Sequence, residues 1–367
     1  MKRSIALILM LAVCVGGFFA LPALKQDAAR LDITMELLGV PGDTAVAAVN
    51  GTPISAREYG FWVASTADTL VYYNNGEALD WNMEESGYTL REAIVEEAQL
   101  RAKLFALLES KFKELGLTLS AAEEAELNAS IEATMAQMGD TEQAVLEWLD
   151  YSSLSYDEFL RQSAVPFYYN AIAAELCDDG PATTAEVEQY ISENDLLRAK
   201  HILFMTVNDT NGEPLDEATV AEKKALAEQT LAALQASTNL EADFDKLMQE
   251  RSEDDGLKTN PNGYVFTANN MVVEFENATR ALEYGQMSGI VESTYGYHII
   301  LRLDPAADQN MLQRISDEVV TLRITAQAND LVSQWMDENP LETTELFDRF
   351  DPEAYYNALV AARPAEG

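Results

Sequence analysis

Two short phrases constrain this chain more than anything else in it. They are Arg198-Ala-Lys-His201-Ile-Leu-Phe204 and Tyr295-Gly-Tyr-His298-Ile-Ile-Leu301, and they hold the only two histidines among 367 residues. In each, the histidine heads an apolar run of the length and composition of a buried strand. Two scarce imidazoles set alike predict two neighbouring strands that carry a paired histidine site.

Composition narrows what such a site could serve. A formal charge of -38 gives a surface that repels nucleic acid and anionic headgroups, so neither is an expected partner. Hydrophobic residues make up 48% of the chain, which excludes wholesale disorder. Of the two cysteines, Cys14 and Cys177, the first lies in an apolar N-terminal run, so no intramolecular disulfide is expected beyond it. No Cys/His cluster has zinc spacing, so no metal is expected, and the chemistry below calls for no cofactor.

Met1-Lys2-Arg3 precedes an apolar run from Ser4 to Leu24. Basic residues ahead of such a run mark export, and the run is long enough to span a bilayer as a helix, which takes roughly 20 residues. Small-x-small cleavage signals are poor. An uncleaved anchor at 1–24 is therefore expected, with Lys2 and Arg3 cytoplasmic and the rest of the chain extracytoplasmic. A lipid-anchored form through Cys14, or a form secreted after cleavage, is the alternative.

Residues 25–44 read as a linker. Val46 to Ser55 reads as a strand, an Asn50-Gly51 turn and a helix start. Thr89-x-x-Glu92, Ser120-x-x-Glu123 and Thr183-x-x-Glu186 are capping boxes that start further helices, and Asn74 to Gly87 reads as a loop. A helix from Tyr156 to Cys177 is expected to bend or break at Pro166. Residues 45–195 thus form a mostly helical domain. Residues 196–304 alternate strand and helix signals and form a small α/β domain. Residues 305–340 are one amphipathic helix, and 341–367 an acidic, partly ordered tail. The fold class is α+β.

Residues 198–304 resemble a parvulin-type peptidyl-prolyl isomerase domain. His201-Ile202-Leu203 opens the pattern and Gly296-Tyr297-His298-Ile299-Ile300 closes it. Ser252-Glu253-Asp254, Met271, Phe275-Glu276-x-Ala278, Leu282, Gly285 and Met287-Ser288 fall between them in order. Any one piece is weak, but the ordered set is specific. The flanks are similar to exported PrsA/SurA-type foldases, in which a helical chaperone module surrounds an inserted parvulin domain and a C-terminal helix packs back on that module.

The resemblance implies catalysis of X-Pro cis-trans isomerisation in unfolded or partly folded secreted polypeptides, with no covalent step. It implies that Met271 and Phe275 line a proline slot, with Tyr264 and Tyr295 at its walls. His201, His298 and Ser293 would form a hydrogen-bonded group beneath it, and Asp254 would sit beside the rotating carbonyl. The pattern departs from the family at Gly263-Tyr264, where Leu-Gly is usual, at Arg280, where an aromatic is usual, and at Ser293, where Thr is usual. Read without the resemblance, Met271 and Phe275 are ordinary core, the histidines order two strands, and Asp254 belongs to a solvated acidic loop with Glu253 and Asp255. A membrane partner through the N-terminus and a homodimer are compatible with the family. The competing function is a holdase whose parvulin domain is only architecture, with Phe61, Trp62, Tyr72, Tyr73 and Trp81 lining a client cradle.

Overall fold

The computed structural model describes residues 32–363 apart from 86, 140 and 209. The expected anchor at 1–24 and most of the expected linker lie outside the described residues. Along the chain the elements are α1 (Ile33–Leu38), β1 (Ala45–Val49), β2 (Thr52–Ser55), α2 (Ala56–Tyr73), β3 (Glu84–Glu85), β4 (Tyr88–Thr89), α3 (Leu90–Glu114), α4 (Ala121–Met138), α5 (Glu142–Tyr151) and α6 (Tyr156–Leu176). There follow α7 (Thr184–Glu193), β5 (Leu197–Met205), α8 (Glu217–Gln235), α9 (Leu240–Arg251), β6 (Tyr264–Phe266), α10 (Val273–Arg280), β7 (Val291–Ser293) and β8 (Gly296–Leu303). The chain closes with α11 (Gln309–Glu338), β9 (Glu342–Thr343), α12 (Glu345–Asp348) and α13 (Pro352–Ala362).

The chain divides into two compact units. One takes residues up to Asp179 together with Ile324 onward; the other is Gly180–Arg323.

The first unit is mostly helical. Ser55, Thr89, Ser120 and Ser155 each close a capping box with the glutamate three residues on, so the starts of α2, α3, α4 and α6 are locally encoded. Its core gathers Val46, Trp62, Val63, Trp81, Ile94 and Leu107 with Tyr355, Tyr356 and Leu359 from the C-terminus. Antiparallel β9 completes the sheet β2-β1-β9.

Four expectations are corrected here. Residues 341–367, expected as an acidic and partly ordered tail, are ordered through their described part, to Arg363: α12 and α13 form there, and Phe350, Tyr355, Tyr356 and Leu359 are buried. The linker's described end holds α1, whose Ile33 and Leu38 are buried in the same core. Pro166 does not break α6, which runs through it. The loop expected at 74–87 contains β3, which pairs with β4.

Of the aromatics considered for a cradle, Trp62 and Trp81 are core and Phe61 packs against it. Only Tyr72 and Tyr73 are exposed. The helical period of α2 explains this: Trp62 falls on its inward face, while the tyrosines end the helix in solvent.

The second unit is built on a four-stranded antiparallel sheet in the order β6-β5-β8-β7. Its two faces follow from strand alternation. Ile202, Phe204, Ile299 and Leu301 point to the face covered by α8 and α9, where Phe244 and Met248 are buried. Ala199, Ile300, Phe266 and Phe275 form the opposite core under α10. α7 belongs to this unit, not to the helical domain expected at 45–195. Its Val187 and Ile191 pack on Ile315 and Val319 from the first half of α11. The second half of α11 serves the helical unit, where Val332 packs with Leu104, Leu108 and Ile172. The expected domain bounds at 195 and 305 thus shift, because one amphipathic helix supplies apolar residues to two cores.

Candidate active site

The register β5 to β8 pairs His201 with Ile300 and Leu203 with His298. The histidines are therefore diagonal neighbours on one face, and their rings stack at 5.3 Å between centroids, 16° from parallel. Both are buried, His298 to 3% exposure.

A chain of hydrogen bonds runs through them. His201 Nδ1 lies 3.1 Å from His298 Nδ1. His201 Nε2 lies 2.9 Å from Asp254 Oδ2, and His298 Nε2 lies 2.6 Å from Ser293 Oγ. Tyr264 donates to the same Asp254 oxygen at 2.6 Å, and Gly256 N–H donates to Oδ1 at 3.1 Å. The Tyr295 amide donates to Ser293 Oγ at 3.2 Å.

An ionised carboxylate only accepts, which orders the protons. With both rings neutral, one arrangement satisfies every partner: Ser293 donates to His298, His298 Nδ1 donates to His201, and His201 Nε2 donates to Asp254. These hydrogens are assigned from their partners.

Electrostatics agrees with that order. Burial, helped by the neighbouring His201, pushes His298 down to about 4, so it is neutral at neutral pH. At Asp254 burial works to raise the pKa, but donors from His201 and Tyr264 outweigh it and hold the carboxyl at about 2. Burial, and the carboxylate it donates to, drive the Tyr264 phenol above its usual range.

Above this network lies a cavity of about 520 Å³, lined by both histidines, Asp254, Tyr264, Met271, Phe275 and Tyr295 among others. Phe275, on α10, meets His201 at 5.1 Å and His298 at 5.7 Å between centroids, its ring steeply inclined to both. Met271 precedes α10, which starts at Val273, and reaches the cavity from the bend before the helix. The structure thus brings together all the candidate residues: His201, His298, Ser293, Asp254, Met271, Phe275, Tyr264 and Tyr295.

The departures from the family pattern have local causes. Gly263 has φ +95°, and a Cβ there would lie 2.7 Å from the Ala199 carbonyl oxygen, so no leucine fits this backbone. A Cβ on Gly256 would lie 1.9 Å from the Tyr264 hydroxyl, so Gly256 is what lets the phenol reach Asp254. Arg280 turns away from the cavity and pairs with Asp195 and Glu276. The Tyr264–Asp254 bond was missed from sequence, where Tyr264 read only as a wall. Gly256 and Gly263 were its available signal.

The antiparallel sheet, its covering helices and the buried histidine pair under the cavity resemble a parvulin-type domain. The family model described as rotamase, PPIC-type PPIASE domain, matches residues 201–304. Over longer stretches the chain is similar to PrsA foldases. It is 30% identical over 225 residues to the foldase protein PrsA of Halalkalibacterium halodurans, covering 57% of this chain and 60% of that protein. It is 44% identical over 75 residues to PrsA of Oceanobacillus iheyensis, covering 20% and 25%. With PrsA of Caldanaerobacter subterraneus subsp. tengcongensis it shares 27% over 307 residues, 82% of each chain. The matched stretches therefore span 60% of the first of these relatives and a quarter of the second. A likeness to crystalline PrsA from Bacillus cereus covers 86% of this chain and 99% of that one at 18% identity, with a TM-score of 0.30, too low to argue from.

Proposed function

We propose that this protein is an extracytoplasmic foldase that catalyses cis-trans isomerisation of X-Pro bonds in unfolded, proline-containing polypeptides. The observation that carries the reading is the hydrogen-bonded chain Ser293–His298–His201–Asp254–Tyr264 beneath a cavity with Met271 and Phe275 in its wall.

The barrier to rotating a peptide bond is roughly 18–20 kcal/mol, set by resonance that places negative charge on the carbonyl oxygen and positive charge on nitrogen. A twisted amide loses that charge separation. Met271 and Phe275 offer the pyrrolidine ring a dry seat. Asp254, ionised beside the carbonyl, disfavours the planar, charge-separated amide relative to the twisted one, which is differential binding of the transition state. Rotation about the amide needs no proton from the histidine pair. His201 holds Asp254 in place, and His298 and Ser293 fix the tautomer of His201. No covalent step and no cofactor enters.

The export-type sequence Met1–Leu24 supports extracytoplasmic residence and, within the same reading, membrane anchoring. The holdase reading has little support, because Trp62 and Trp81 are buried.

Refolding of a substrate whose slow phase is limited by proline isomerisation tests the proposal. Catalytic amounts of the protein should shorten that phase in proportion to enzyme concentration. Suppression of aggregation with an unchanged slow phase would favour the holdase instead.

A further inference from the structure

Apart from its histidines, every charged side chain that lines the slot among the described residues is acidic: Glu253, Asp254 and Asp255. Asp254 stays ionised well below neutral pH. Glu253 accepts the Met205 amide at 2.8 Å and pairs with Lys223, which is not part of the lining. Asp255 pairs with Lys258 at 2.6 Å, with both side chains about three-quarters exposed (75% and 76%). A pair that exposed has little net worth and gives way readily to a better partner. The charge of -38 on the whole chain adds a far field of the same sign.

Glu253 and Asp255 flank Asp254 in sequence, and both line the same cavity as Met271 and Phe275. We propose that these two residues set the substrate class of the slot: X-Pro bonds preceded by Lys or Arg are favoured, and those preceded by Asp or Glu are rejected. This rests on the isomerase reading above. The slot selects on both signs at once, since the same carboxylates that attract an ammonium repel a carboxylate.

The test is cis-trans exchange by NMR on three short peptides that differ only before proline: Lys, Ala and Glu. The whole protein is used, at low ionic strength and at ~0.5 M salt. The expected kcat/KM for Lys-Pro exceeds that for Glu-Pro by about five- to tenfold at low salt, with Ala-Pro between, and the ratio shrinks in salt. In the double variant Glu253→Gln, Asp255→Asn the ratio should fall to within about twofold. Should that variant not fold, the single Asp255→Asn, at an exposed side chain, should narrow it part of the way. Equal turnover of the Lys and Glu peptides, or a ratio the variants leave unchanged, overturns this inference and leaves the isomerase reading intact. Failure to accelerate any of the three peptides overturns the isomerase reading itself.

Discussion

At Asp254 burial and hydrogen bonding pull in opposite directions, and three donors decide the outcome. Replacing it with Asn keeps the shape and removes the charge, so Asp254→Asn should lower kcat/KM by roughly tenfold or more with the fold retained. An unchanged rate would show that the charge takes no part. Tyr264→Phe removes one donor, and the Asp254 carboxyl should then titrate above its native value of about 2, read by carboxyl carbon NMR. His298, held near 4, and Asp254 both lie outside the range pH 5–8. Turnover is expected to fall as His298 takes a proton near pH 4. At this scale the sequence was most legible where the chemistry is carried by scarce residues. Two histidines, Asp254 and Phe275 could be named in advance because their order and spacing is specific. The Tyr264 bond to Asp254 could not, since it depends on a left-handed Gly263 and on the space left by Gly256.

Among the elements, helix starts were readable because capping boxes are local, whereas β9 and α13 were not, because their worth comes from distant partners. Tyr355 lies so close to Gly60 that a Cβ there would come within 2.3 Å of its ring, and Leu359 is fully buried. Leu359→Ala should cost about 2–4 kcal/mol by denaturant unfolding, although the residue sits near the end of an acidic segment. A negligible cost would mean that α13 does not dock. The junction of α2, α3 and α6 also buries Glu58, Glu109 and Glu158, with Arg57 and Arg161 among them. Burial outweighs the Arg161 guanidinium and raises Glu58 to about 7. A folded pKa above the unfolded one, near 4.5, stabilises most below pH 4.5, and that stability is lost as pH rises through about 7. The helical unit should therefore weaken from pH 5 to pH 8, and Glu58→Gln should flatten the trend.

The molecule as a whole separates these effects. All four tryptophans (Trp62, Trp81, Trp148 and Trp335) lie in the helical unit, and both histidines lie in the other. Tryptophan fluorescence thus reports on the unit that Glu58 weakens at high pH. The unit Gly180–Arg323 has the opposite slope: His298 is depressed from 6.5 to about 4, so its stability is complete above pH 6.5 and falls as pH drops towards 4. Denaturation followed by fluorescence and by histidine NMR should show midpoints that move in opposite directions with pH. Parallel movement would contradict the division. The existence of an α/β domain beside a helical one was legible in the alternation of strand and helix signals. Its bounds were not, because α11 supplies apolar residues to both cores, and periodicity does not say which core a helix face meets.

The central claim is that the cavity over His201 and His298 turns X-Pro bonds. Cis-trans exchange of an Ala-Pro peptide, measured by NMR with the whole protein and with its Phe275→Ala and Met271→Ala variants, tests it most directly. The account predicts saturable acceleration by the native chain, its near-complete loss in Phe275→Ala and a partial loss in Met271→Ala, with histidine NMR signals still those of a folded domain. Acceleration that survives both substitutions, or none from the native chain, would contradict it.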